Sequence, residues 1–177
     1  GEAILSTMSA PFMMDTHENG GLGLDKESVG FLFGTVGMVS LVVGGILGGW
    51  LISKFGIKKC LWPMALMLKA PDFVYVFMAS TKPDLSVIYG LVALEQFGYG
   101  VGFTAFMVVL MYITEEKYKT SHFAISTGIM ALGMMVPGMV SGYLQSSLGY
   151  LNFFIMVLCL TVPGLIVLFF IPLENRK

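Results

Sequence analysis

Three ionisable side chains interrupt long apolar runs in this chain: Lys69, Asp72 and Glu95. A charge at the centre of a hydrocarbon layer costs at least about 2.5–3.5 kcal/mol, so each needs a partner or a task. Glu95 begins the stretch Glu95-Gln96-Phe97-Gly98-Tyr99-Gly100-Val101-Gly102. On a helix Glu95, Tyr99 and Gly102 share one face. A carboxylate, a phenol and a glycine that leaves room, with Gln96 adjoining, make a cavity wall. Such a carboxylate can load and release a proton or bind a polar solute, and aromatic rings beside polar groups suit sugar-like or amphipathic ligands. The competing reading is structural. Lys69 and Asp72, spaced i and i+3, form an intramembrane ion pair, or Lys69 pairs with Glu95 across two helices, and Tyr99 only packs.

Other chemistries are poorly supported. There is no HExxH, no GxSxG at a strand–turn–helix and no Asp/His metal cluster. The glycines at 98, 100 and 102 superficially resemble a nucleotide loop, but they sit mid-helix with no strand before them. The chain therefore reads as a non-enzyme with no metal and no cofactor. A net charge of −1 offers nucleic acid no basic surface. Cys60 and Cys159 lie far apart, in or near apolar segments, with no redox or metal spacing.

The elements that must hold these residues are membrane helices. Only 12% of the 177 residues are charged, and none lies between Glu27 and Lys54 or between Lys119 and Glu174. A soluble domain carries about 25%, and a helix needs about 20 apolar residues to cross the hydrocarbon core. Six segments follow, at about 3–15, 28–53, 60–80, 85–114, 121–144 and 151–172, so the first partner is the lipid bilayer. The connections are short, which leaves no room for an inserted soluble domain. The first segment is either cut short or not a full span. No signal peptide is expected, since the first residues lack a basic region and a cleavage site. With no initiator Met, the chain is expected to be a fragment.

Six segments alternate sides, which places Lys54, Lys58, Lys59, Lys117, Lys119, Arg176 and Lys177 on one side and only Lys26 and Lys82 on the other. The positive-inside bias makes the first side, and the C-terminus, cytoplasmic. Small residues recur at packing intervals: Gly44/Gly48 and Gly45/Gly49 in segment two, Gly98/Gly102 in segment four and Gly138/Gly142 in segment five. Such spacing lets another backbone approach closely, for tight bundle packing or for sliding against a partner. Pro71, Pro137 and Pro163 fall inside spans, where each tends to kink the helix.

The stretch Gly49-Trp50-Leu51-Ile52-Ser53-Lys54-Phe55-Gly56-Ile57-Lys58-Lys59 resembles the cytoplasmic loop signature of the major facilitator superfamily, G-x-L-x-D-[RK]-x-G-[RK]-[RK], which lies between the second and third helices of each six-helix half. Ser53 replaces the usual Asp, which puts a salt-bridge gating role in doubt, and Ile57 stands where a basic residue is common. A degenerate copy is typical of the second half. Glu95 through Met107 resembles the tenth helix of AmpG-type muropeptide permeases and their acetyl-CoA transporter relatives. Gly1-Glu2-Ala3 with Pro11 through Asp15 resembles that family's seventh helix, and Ala131 through Gly142 its eleventh.

The resemblance implies an all-α integral membrane fold: six transmembrane helices, as 3+3 inverted repeats, forming the C-terminal half of a twelve-helix protein. It implies a proton-driven importer of peptidoglycan-derived anhydro-muropeptides in the bacterial inner membrane. Its partners would be the missing N-terminal six-helix half, a small-molecule solute and protons. Segments one and four would line the cavity, two and five would face the other half, and three and six would support them. That favours Glu95 as a cavity residue and places Lys69 and Asp72 on a supporting helix. Two alternatives stay open: a transporter of a sugar, peptide or acyl-CoA-like anion, or a non-transporting membrane sensor or scaffold.

Overall fold

The computed structural model describes residues 1–113 and 119–170, and every element among them is helical. α1 (Glu2–Met14) is followed by a 3₁₀ turn at His17–Asn19. α2 (Lys26–Phe31) runs through a π-helical stretch, Leu32–Gly37, into α3 (Met38–Phe55). α4 (Ile57–Lys69) runs through a 3₁₀ turn, Ala70–Asp72, into α5 (Phe73–Thr81). α6 (Leu85–Ile113) and α7 (Lys119–Val167) complete the order, with a 3₁₀ turn at Leu168–Phe170.

Four helices among the described residues are long and apolar enough to cross a membrane: Lys26–Phe55, Ile57–Thr81, Leu85–Tyr112 and Thr120–Val167. The last has 48 residues, about 72 Å at 1.5 Å per residue, against a hydrocarbon core of about 30 Å. It is two helices joined at Gly149, whose φ of 72° and ψ of 162° leave the helical region. The neighbours of α1 show that the chain reverses there: Gly138 faces Thr7, Tyr150 hydrogen-bonds to Asp15, and Gly1 faces Thr161. α1, with 13 residues, is the short sixth member. Residue 71 falls in the 3₁₀ turn between α4 and α5, but α7 leaves helical dihedrals at Gly149 and not at Pro137 or Pro163.

Local chemistry sets the ends. At the start of α2 the Asp25 carboxylate accepts from the Ser28 amide at 2.9 Å and from its hydroxyl at 2.7 Å, satisfying a donor that the first turn leaves open. These bonds from Ser28 hold the exposed Asp25 carboxyl below its ordinary range. Gly56, at φ 80°, makes the turn between α3 and α4. At one end of the bundle the loop after α1 is tied down: the Tyr150 hydroxyl donates to Asp15 Oδ2 at 2.8 Å, and Lys82 Nζ donates to the His17 carbonyl at 2.9 Å. Beneath it Phe12, Tyr75, Phe153 and Phe154 form the aromatic part of the main core, with Phe12 edge-on to Phe154 at 4.9 Å.

The closest helix pair is α3 with α6. A Cβ on Gly44 would collide with the Phe97 carbonyl, one on Gly100 with the Leu41 carbonyl, and one on Gly48 would stand 3.1 Å from the Val101 carbonyl. The Thr104 hydroxyl on α6 donates to the Gly100 carbonyl at 2.9 Å and reaches the Gly45 carbonyl of α3 at 3.4 Å. Gly44, Gly45 and Gly48 of the segment-two glycine pattern therefore serve packing inside this bundle. Gly30, Gly34 and Gly49 meet nothing within 4 Å, nor do Gly128, Gly133 and Gly142 of α7.

The remaining surface is apolar. Val39, Val42, Val43 and Ile46 of α3 and Ile129, Leu132, Met135 and Met139 of α7 are exposed, Met139 to 82%. A patch of this extent on a soluble monomer would be an interaction site or a liability; on these helices it belongs against lipid or another helix. The α3–α6 contact is testable in the full-length protein. Gly44→Ala or Gly100→Ala should lower stability by about 1–3 kcal/mol through overpacking, while Gly49→Ala should not. Thermal unfolding of the detergent-solubilised protein reads the difference.

Candidate functional site

The residues singled out from the sequence divide between a central cavity, a charged cluster beside it and the α3–α4 turn. The cavity, of about 340 Å³, lies between α1, the π-helical stretch, α5 and α6. Ser6 and Ser9 enter from α1, Phe33 from the π stretch, Tyr75 from α5, and Glu95 and Gln96 from α6. Glu95 is 6% exposed, and its Oε2 accepts a hydrogen bond from Gln96 Nε2 at 2.9 Å. The buried Tyr75 phenol faces both Glu95 and Ser9.

The π stretch positions this wall. An extra residue per turn is a frequent mark of functional sites, and here it places Gly37 against the Gln96 side chain, where a Cβ would stand 3.3 Å away. Phe33 is carried to the cavity by the same stretch. Tyr99 is placed one turn beyond Glu95 but does not line the cavity; its ring stacks on Phe103 at 5.5 Å between centroids. Gly102, on the Glu95 face, fits against Leu68 and Met64 of α4.

The pairing of Lys69 with Asp72 is corrected. Lys69 Nζ donates instead to Glu2 Oε2 on α1, a partner 67 residues away. The Lys69 and Glu2 side chains are 19% and 23% exposed. Asp72 points into the bundle interior and is 2% exposed. The lysine at the α1 interface finds its carboxylate across the helix gap and not along its own helix. Lys69 does not pair with Glu95 either. It also borders a second cavity of about 380 Å³ among α4, α6 and the end of α7, lined almost wholly by apolar side chains such as Leu61, Val109 and Leu165.

The loop signature forms the tight α3–α4 turn. Gly49 is on the last turns of α3, the Ser53 hydroxyl donates to the Trp50 carbonyl at 2.8 Å, and Lys54 Nζ lies 4.9 Å above the Trp50 ring. Gly56 supplies the positive φ, and Lys58 and Lys59 are exposed at the start of α4. Of the other cationic residues counted for orientation, Lys117, Arg176 and Lys177 lie outside the described residues, as does the Lys119 side chain.

A family model, the Major Facilitator Superfamily, matches residues 1–177. The chain belongs to the major facilitator superfamily. Its relatives include an uncharacterised protein of Haemophilus influenzae, 28% identical over all of this chain and 43% of the relative. An anhydromuropeptide permease of Escherichia coli K12 is 26% identical over 95% of this chain and 33% of the permease. A putative transporter AmpG 4 of Rickettsia felis is 23% identical over all of this chain and 41% of the relative. The chain thus spans less than half the length of these relatives. The fold is an all-α membrane half of this superfamily, and the family is one of transporters with several membrane passes.

Sequence reasoning missed Ser6, Ser9, Phe33, Tyr75 and Glu2. Tyr75 stands one helical turn beyond Asp72 and was reachable from that spacing; the π stretch left no compositional mark. For the Lys69–Glu2 pair, Lys69→Gln should destabilise the full-length protein by about 1 kcal/mol, the low end of the cost of leaving a charged group unpaired, since Glu2 is only partly buried. Adding Glu2→Gln should recover most of that loss, since the two residues are coupled. Denaturation of the two single variants and the double variant tests this.

Proposed function

We propose that the chain is the C-terminal half of a twelve-helix, proton-coupled importer in the bacterial inner membrane, with its C-terminus cytoplasmic. The cargo is peptidoglycan-derived anhydro-muropeptides or related amino-sugar compounds. The observation that carries the reading is a buried carboxylate, Glu95, set in a polar and aromatic cavity between α1 and α6. The printed names of the permease relatives supply the solute class.

The chemistry fits that class. A sugar presents hydroxyls, amides and an apolar ring face. Ser6, Ser9 and Gln96 supply hydrogen-bonding groups, and Phe33 and Tyr75 supply flat apolar surface. A cavity of about 340 Å³ is near the small end of the range for ligand sites, about 300–1,000 Å³, as expected when the other half completes the site. Glu95 binds the coupling proton, with Gln96 and Tyr75 holding its carboxyl in either state. The exposed glycine-bearing faces of α3 and α7 meet the other half. Lys54, Lys58 and Lys59 stand on the cytoplasmic side.

Whole-cell uptake of labelled anhydro-muropeptide by the full-length protein tests the reading. The unmodified protein should take it up, and Glu95→Gln should reduce uptake to the background of cells lacking the protein while its membrane level stays unchanged. Undiminished uptake by that variant would remove Glu95 from coupling. No uptake of labelled anhydro-muropeptide, with uptake of a labelled sugar or peptide in its place, would move the cargo to that class.

A further inference from the structure

Asp72 is the group that the cavity does not use. It is 2% exposed. Its Oδ2 is, among the described residues, the one buried side-chain oxygen or nitrogen that lacks a hydrogen-bond partner. It lies in the 3₁₀ turn between α4 and α5. The groups that face it are Glu2 from α1, Lys69 from α4, Tyr75 from α5, Glu95 from α6 and, in this chain, the Gly1 amino group. A carboxylate oxygen in such a place must be neutralised by a proton or by a cation. The side-chain cation is Lys69, three residues away, and Glu2 holds it. Lys69 ends α4 and Asp72 ends the 3₁₀ turn after it, so the two are neighbours at i and i+3, and the Lys69 charge already acts on Asp72.

We propose that Asp72 is a proton-binding position in exchange with Lys69. With the proton on Asp72, Lys69 stays on Glu2 and fastens α1 to α4. When the proton leaves Oδ2 for the facing Glu95 carboxylate and passes from there to the cavity, the Lys69 ammonium, protonated throughout, crosses to Asp72. Glu2 is then released, and the first turn of α1 loses its tie to α4. The trio Glu2, Lys69 and Asp72 passes from zero net charge to −1, the proton accounting for the difference. α1 carries Ser6 and Ser9 in the cavity wall, so a proton at Asp72 sets how firmly that wall is held. The inference rests on the proton-coupled reading above and adds a second proton position to it.

The test needs no solute. Ser6, exposed and in the cavity wall, is replaced by Cys in an otherwise cysteine-free full-length protein in proteoliposomes, and labelling by a membrane-impermeant maleimide is timed at pH 6 and pH 8. The rate, corrected for intrinsic thiol ionisation, should rise about fivefold or more at pH 8, the low end of ordinary coupling between sites. Asp72→Asn should stay slow at both pH values, and Asp72→Glu should restore the rise. Lys69→Gln, which leaves nothing to fasten Glu2, should be fast at both. A corrected rate in the parent that does not change with pH, or a pH response unchanged in Asp72→Asn, overturns the proposal. If Asp72→Asn fails to insert, a pH response retained by Lys69→Gln overturns it equally. Failure of the unmodified protein to take up anhydro-muropeptide would count against the cargo alone, because labelling is read without it.

Discussion

The approach of α3 to α6 is the constraint on which the site depends. Gly44, Gly48 and Gly100 let the two backbones meet where any side chain would strike a carbonyl. Transmembrane helices gain little from apolar burial, because lipid tails are as apolar as leucine, so close van der Waals packing has to hold them. That packing fixes the register of α6 against the segment that begins with the π stretch. Register in turn puts Gln96 opposite Gly37 and brings Phe33 beside Glu95 in the same cavity. A slip of one residue along α6 would rotate Glu95 by about 100° on a helix of 3.6 residues per turn and remove it from the cavity.

Against that frame the intramembrane charges divide by their partners. Glu95 has an amide and a phenol around it but no cation within bonding distance. Lys69 and Glu2 satisfy each other across α1 and α4, while Asp72 has an oxygen with nothing bound. A merely structural set of charges would be expected to close on itself, since half-satisfied polar networks in low dielectric are costly. In the proposed transporter that cost has a use, because a proton must bind and leave beside the cavity.

Much of this was legible in the sequence, for physical reasons that can be named. The bilayer forbids unpaired charge, so charge-free runs mark helices, and the short connections that carry the charges mark their ends. Glu95 stood out as a carboxylate isolated in an apolar run with a glycine on its own face. The partner of Lys69 did not stand out, because spacing along one helix favours Asp72 and says nothing about Glu2, 67 residues away. The glycines on α3 were legible as packing sites but not as to which neighbour they served. Tyr99 matched the face expected of it, yet its ring found Phe103 on its own helix before it found the cavity. The π stretch was illegible because one extra residue per turn changes hydrogen bonding and not composition.

The glycines of α3 resolve into two faces with different consequences. Gly44 and Gly48 are filled by α6, and Gly49 is bare, as are Gly30 of α2 and Gly34 of the π stretch before it. The first face joins α3 and α6 into one packed pair. The second stays uncovered beside the exposed Val42, Val43 and Ile46, as do Gly128, Gly133 and Gly142 on α7 beside Leu132, Met135 and Met139. In the proposed transporter the other half meets this uncovered face, and movement there is carried inward by the packed pair. Glu95 travels with that pair. α1 forms the opposite wall, held to α4 through Lys69 and Glu2 and to α7 through Phe12 and the Tyr150–Asp15 hydrogen bond, so the cavity changes shape only as far as these ties yield.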